Sequence, residues 1–150
     1  MRILCLALLA GCGPAPKMTG TALMKFSVAP SVKSSSDLKS PLLAKVRGGV
    51  FLVEDVTLTG PRKEAPVFGD VTIEKVDLRT TDVSVEQLVT QELAPGLYTV
   101  LAMMDLNANA NVEKPQPDSG DVVTLPFSNK FQIVAGEQTR RLVVFDLIYN

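Results

Sequence analysis

The chain reads as all-β, a single antiparallel Greek-key β-sandwich of about seven strands, and three observations lead there. Apolar stretches of strand length recur along the 150 residues, each closed off by Pro, Gly, Asn, Asp or Ser turn signals. Several alternate with period two, as half-buried strands do, and no long helical period or internal repeat competes with them. Hydrophobic residues make up 46% and charged residues 21%, which is enough apolar material for one buried core in one domain.

The elements follow in order. Thr21 to Val28 places Ala22, Met24, Phe26 and Val28 on one face, with Thr21, Lys25 and Ser27 on the other, so it is a strand with one side to water. Pro30 to Pro41 is polar and serine-rich and reads as a surface loop. Ala44 to Thr59 carries the next strand material, in which Val50, Leu52, Val56 and Leu58 share a parity that Glu54 interrupts. Gly60-Pro61 ends it, and a turn-rich connection runs to Pro66. Asp70 to Thr80 is a strand whose parity switches between Ile73 and Val76, and a β-bulge near Lys75 would account for the slip. For Asp82 to Gln91 the reading is an irregular crossover with one turn of helix, opened by a Ser84/Gln87 capping box. Pairing of Val83, Val85 and Val89 as strand is the alternative. Leu97 to Met104 is apolar on both parities except Thr99, the mark of a central strand covered on both faces. Asp121 to Leu125, Lys130 to Val134 and Arg140 to Tyr149 complete the set, with a turn at Ala135 to Gln138.

Two local motifs stand out. In Leu93-Ala94-Pro95-Gly96-Leu97-Tyr98, the Pro95-Gly96 pair fits the centre of a type II turn, where glycine takes φ > 0. Tyr98 just after it fits a tyrosine corner, its phenol tied back to upstream backbone, and this makes Pro95, Gly96 and Tyr98 a structural corner. The second motif runs Asp105-Leu106-Asn107-Ala108-Asn109-Ala110-Asn111-Val112-Glu113. Oxygen-bearing side chains at alternate positions can curl around a hard cation. An EF-hand is rejected, because Ala110 stands where that loop needs glycine, Gln116 where it needs glutamate, and a strand leads in. Two readings remain. One is a weak calcium site built from Asp105, Asn107, Asn109, Asn111 and Glu113, completed by Asp118 and Asp121. The other is a self-bonded connection, since asparagine tolerates left-handed backbone and bonds its own turns. No cofactor is required under either.

Composition narrows function. Histidine is absent, which removes the usual general base, the Ser-His-Asp triad and most zinc sites. Tryptophan is absent too, which weakens any carbohydrate-stacking platform. A net charge of −1 offers no electrostatic case for nucleic acid. The expectation is therefore a non-enzyme. The remaining enzymatic option is a carboxylate-based glycoside hydrolase using a pair such as Asp118 with Asp121 or Glu54 with Asp55, held about 5–10 Å apart.

The first residues specify location. Arg2 gives a positive start, Ile3 to Leu9 an apolar run, and Leu9-Ala10-Gly11-Cys12 resembles the lipobox of bacterial lipoproteins. That resemblance implies a signal peptide over 1–11, acylation of Cys12, a lipidated tether over 12–19, and a β-sandwich domain over 20–150. It also implies that the protein sits in the cell envelope, attached to a membrane by its acyl chains. Gly13 after the cysteine, where an aspartate would signal inner-membrane retention, favours the outer membrane of a Gram-negative cell. Cys5 and Cys12 are the two cysteines, so the domain after the tether has no thiol and draws its stability from its core.

Taken together, Pro95-Gly96-Leu97-Tyr98, the apolar strand, Asp105-x-Asn107-x-Asn109, the proline-containing loop and Gly120-Asp121 resemble transthyretin-like and carboxypeptidase-regulatory-like sandwiches of lipoproteins and secreted proteins. The resemblance covers Leu93 to about Phe127 and implies an Ig-like or transthyretin-like fold more than an activity. The functional expectation is a membrane-anchored, non-enzymatic binding or assembly module whose partner is an envelope protein or an extracellular polymer. The alternative is a structural or adhesion subunit pairing through a sheet edge.

Overall fold

Period-two burial builds the first strand, β1 (Gly20–Val28), whose even residues Ala22, Met24, Phe26 and Val28 are all buried. In the computed structural model, which describes residues 18–35, 43–77, 86–111 and 116–150, it is followed by a four-residue helix, α1 (Pro30–Lys33). The serine-rich stretch was expected to be a loop from its first residue. Instead Pro30, with its fixed φ, opens a helical turn, and Val32 from that turn joins the core.

β2 (Leu43–Leu52) continues into a 3₁₀ turn, Val53–Asp55, at the position of Glu54, where the alternation breaks. β3 (Val56–Thr57) and β4 (Gly60–Pro61) then form a small hairpin. The Thr57 hydroxyl donates to the Gly60 carbonyl at 2.9 Å, which closes this hairpin. Its tip exposes Leu58, which therefore does not share the buried face of Val50 and Val56. β5 (Gly69–Asp77) pairs with β2, and its register slips so that Glu74 and Lys75 together face Lys45, a bulge at the position where the parity switches.

β6 (Glu86–Leu93) corrects the expected crossover. Gln87 lies in a strand paired antiparallel with β1, so no helical turn is capped there, while Ser84 lies outside the described residues. The ladder with β1 satisfies the backbone of this stretch, which a local capping box would have satisfied less completely. The chain continues as β7 (Gly96–Asp105), β8 (Val122–Val123), β9 (Lys130–Ile133), β10 (Gln138–Phe145) and β11 (Leu147–Ile148). The final apolar segment is thus split at Asp146 into two strands that belong to different sheets.

The fold is all-β. A three-stranded sheet has the order β10-β1-β6, and a larger one has the order β11-β8-β7-β2-β5 with β9 also on β7. Pairing is antiparallel except between β1 and β10, which run parallel from Thr21↔Gln138 to Val28↔Phe145. This one pair departs from the expected antiparallel pattern. β7 is central in the larger sheet, with Val100, Ala102 and Met104 buried on one face and Thr99 and Met103 on the other.

Both sheets contribute to one core, so the architecture is sandwich-like. Phe26 and Phe145 from the small sheet lie 6.3 Å apart by ring centroid. Tyr98 from the large sheet stacks on Phe131 at 5.9 Å and meets Phe68 edge-on at 5.5 Å.

Candidate functional site

The Asp105–Asp121 loop leaves the end of β7 and returns into β8. The described residues bring Asp105, Asn107, Asn109, Asp118 and Asp121 together, Asn111 is exposed, and Glu113 lies outside them. The Asp105 carboxylate accepts the backbone N–H of Asn109 and of Ala110, both at 3.2 Å. Asn107 Oδ1 accepts the same Asn109 N–H at 3.1 Å, an asparagine bonding its own turn. Between them Ala108 sits in left-handed backbone at φ 59°, which curls the chain back.

Asp118 closes the curl from the other side. The Asn109 side-chain amide donates to its Oδ2 at 2.5 Å, and the Asn107 amide donates to the same oxygen at 3.2 Å. Asp121 is buried beneath, 1% exposed. Its carboxylate accepts the Leu106 N–H and the Asp118 N–H, each at 3.1 Å. The C-terminal tail fastens the return: Gly120 N–H donates to the Tyr149 carbonyl at 2.8 Å, and Tyr149 N–H donates to the Asp121 carbonyl at 2.7 Å. Gly120 takes φ 103°, a conformation that side chains rarely adopt.

Electrostatics follow from these contacts. The Asn109 and Asn107 amides hold the Asp118 carboxyl below the usual carboxylate range. Burial pushes Asp121 up; the Asp118 and Leu106 backbone N–H groups oppose that shift, and the charge of Asp118 adds to it. Asp146, at the break between β10 and β11, is also pushed up by burial.

A cation would need oxygens where the asparagines now present N–H groups to Asp118. Turning an amide over exchanges its nitrogen for its oxygen at almost the same position. Among the described residues, no three His, Cys, Asp or Glu side chains gather closely enough to form a metal site. As it stands, the arrangement fixes a shape, because the carboxylates of Asp105, Asp118 and Asp121 are each engaged by donors of the loop itself.

At the other end of β7, the Tyr98 hydroxyl donates to the Ala94 carbonyl at 3.0 Å, and its ring is buried. Pro95 is exposed, at a bend. Gly96 does not have positive φ, so the expected type II turn is absent. The glycine has another physical reason: a Cβ there would lie 3.3 Å from Tyr98 Cε2, so the missing side chain makes room for the phenol ring. Sequence reasoning missed Asn129, which is 1% exposed and bonds Val144 through both ends of its amide. It also missed the role of Tyr149, whose contribution is made by backbone and carries no side-chain signal. Cys12 and the lipobox-like residues lie outside the described residues. Comparison with family models, with curated proteins and with solved structures finds no match to this chain.

Proposed function

We propose that the chain is a lipid-anchored, non-enzymatic module of the bacterial cell envelope that presents the Asp105–Asp121 loop to an envelope protein or an extracellular polymer. The carrying observation is the placement of two features on one domain. Seven residues separate Leu9-Ala10-Gly11-Cys12, which resembles a lipobox, from the start of β1 at Gly20, while the loop stands where β7 ends, at the opposite end of the strands. The commitment of Asp105, Asp118 and Asp121 to loop donors supports a role in presenting shape over one in breaking bonds.

The fold proposed with it is a Greek-key sandwich of the transthyretin-like or carboxypeptidase-regulatory-like type. Support comes from the seven strands of four or more residues, β1, β2, β5, β6, β7, β9 and β10. The chain crosses between the two sheets from β1 to β2, from β5 to β6, from β6 to β7 and from β9 to β10. The Tyr98 to Ala94 bond is the tie of a tyrosine corner.

Two measurements test the function. The mass of detergent-extracted protein should show a chain starting at Cys12 and carrying diacylglycerol; an uncut Met1 or a free Cys12 thiol sinks the anchor. Crosslinking in cells followed by affinity purification should recover one recurrent partner that is lost when residues 106–120 are replaced by a Gly/Ser linker. Recovery unaffected by that replacement sinks the loop as the docking face.

A second reading, a weak calcium site in the same loop, is favoured by the convergence of Asn107 and Asn109 on Asp118. The domain should then melt higher in millimolar calcium than in chelator. Equal melting removes the ion.

A further inference from the structure

The end of the domain at which β1 begins carries a cluster of exposed apolar side chains. β1 enters between two turns. Gly136 N–H donates to the Thr19 carbonyl at 2.9 Å, Thr21 N–H donates to the Glu137 carbonyl at 3.0 Å, and Gly20 pairs with Leu93 beside the β6–β7 corner. The chain therefore leaves toward Cys12 from between these turns. Three large apolar side chains are exposed around that point: Met18 at 75%, Leu97 at 45% and Val134 at 43%. Leu97 faces Gln132 in the β7–β9 ladder, so the pleat puts Leu97, Gln132 and Val134 on one face, with Leu97 and Val134 as diagonal neighbours. Continuing that register by one residue sets the exposed Pro95 opposite Val134. Glu92, which accepts the Thr19 hydroxyl at 2.8 Å, and Glu137 form a polar border.

We infer that this end of the domain rests on the lipid surface, with Met18, Pro95, Leu97 and Val134 at the headgroup boundary and the Asp105–Asp121 loop facing away. Chain length selects the occupant. Residues 13–19 separate the acylated cysteine from β1, and seven residues span at most about 25 Å. The apolar end is thus held within reach of the bilayer interface, where exposed apolar side chains lose contact with water. β7 starts at this end and runs ten residues to Asp105, which sets the loop about 30 Å farther out. The acidic side chains Glu92 and Glu137 at the border of this end disfavour an anionic surface, so zwitterionic lipid is the expected partner. The inference rests on the acyl-anchor reading of Cys12.

The test uses the full acylated chain. Once Cys5 is removed with the signal and Cys12 is acylated, an introduced cysteine is the only free thiol. Val134→Cys at the proposed contact, Met18→Cys as a second probe outside the sheets, and Ser119→Cys on the far loop would each carry bimane. The proteins would be reconstituted in phosphatidylcholine vesicles containing nitroxide-labelled acyl chains. The expected result is loss of fluorescence at 134 and 18, none at 119, and the reverse pattern with aqueous iodide. A vesicle-bound, acylated protein whose 134 and 18 probes respond to iodide and not to nitroxide overturns the inference while leaving the anchor intact. Probes shielded from both quenchers assign the face to a second copy or another protein, which also overturns it. Missing acyl mass on Cys12 overturns both, and mass spectrometry alone distinguishes that case.

Discussion

Tyr98 joins three physical effects in one side chain: its ring stacks on Phe131, its edge meets Phe68, and its hydroxyl ties the β6–β7 corner to Ala94. Tyr98→Phe keeps the ring and loses the tie, so denaturant unfolding should register a loss on the order of 1 kcal/mol. A variant as stable as the wild type removes the corner as a stabilising device. Asp118 yields a prediction in pH. Its carboxyl is held low in the folded chain, so its contribution is present above the unfolded pKa and disappears as pH falls through the folded one. Buried Asp121 is shifted the other way, and its contribution, full below the unfolded pKa, declines as pH rises through the folded one. Asp118→Asn should therefore melt below the wild type at neutral pH, and the gap should close as acid protonates Asp118. A gap that is constant with pH would contradict the assignment. The Tyr98 tie was legible in the sequence because Pro-Gly-x-Tyr is a local pattern, whereas the type II turn expected at Pro95-Gly96 does not form. The reason for Gly96 was not legible, since it depends on how close a ring two residues away comes to the backbone.

Strands with clear alternation were legible because the pattern itself reports which face is buried, as in β1, and because a parity slip reports a bulge, as in β5. β6 was not legible. Its sequence suits a capped helical turn as well as a strand, and its pairing with β1 is decided by a segment more than sixty residues away. Edges were equally hidden. β10 is an edge of the small sheet, and Asn129 closes it at Val144 by accepting the backbone N–H at 2.8 Å and donating to the carbonyl at 3.1 Å. The side-chain amide takes the place of a neighbouring strand at that position, and so protects the edge against foreign pairing. Asn129→Ala should leave both backbone groups without their partner and cost about 1–3 kcal/mol. Size-exclusion chromatography should also show more self-association than in the wild type. An Asn129→Ala protein that is equally stable and monomeric would mean that the edge needs no such closure.

The division between what was and was not legible also holds for the molecule as a whole. The all-β class followed from strand-length apolar runs, and the gathering of Asp105, Asn107 and Asn109 from alternating Asp and Asn. The fastening of that loop by Tyr149 was invisible, because residues 120 and 149 meet only through backbone. The parallel neighbour relation of β1 and β10 was invisible for the same reason: sequence spacing carries no record of which strands lie side by side. That relation has a consequence for how the chain comes to be folded. Residue 21 faces residue 138, so the small sheet must close a loop of more than a hundred residues before its middle strand gains its second neighbour. A chain ending at residue 137 should accordingly give no cooperative unfolding transition by circular dichroism, and a native-like transition in that truncation would refute the requirement. Because β1 depends on β10 for its second neighbour, the small sheet is complete only once the chain through Phe145 is in place. Completion of the small sheet is therefore a late event in folding, since it waits for the longest-range pairing in the domain.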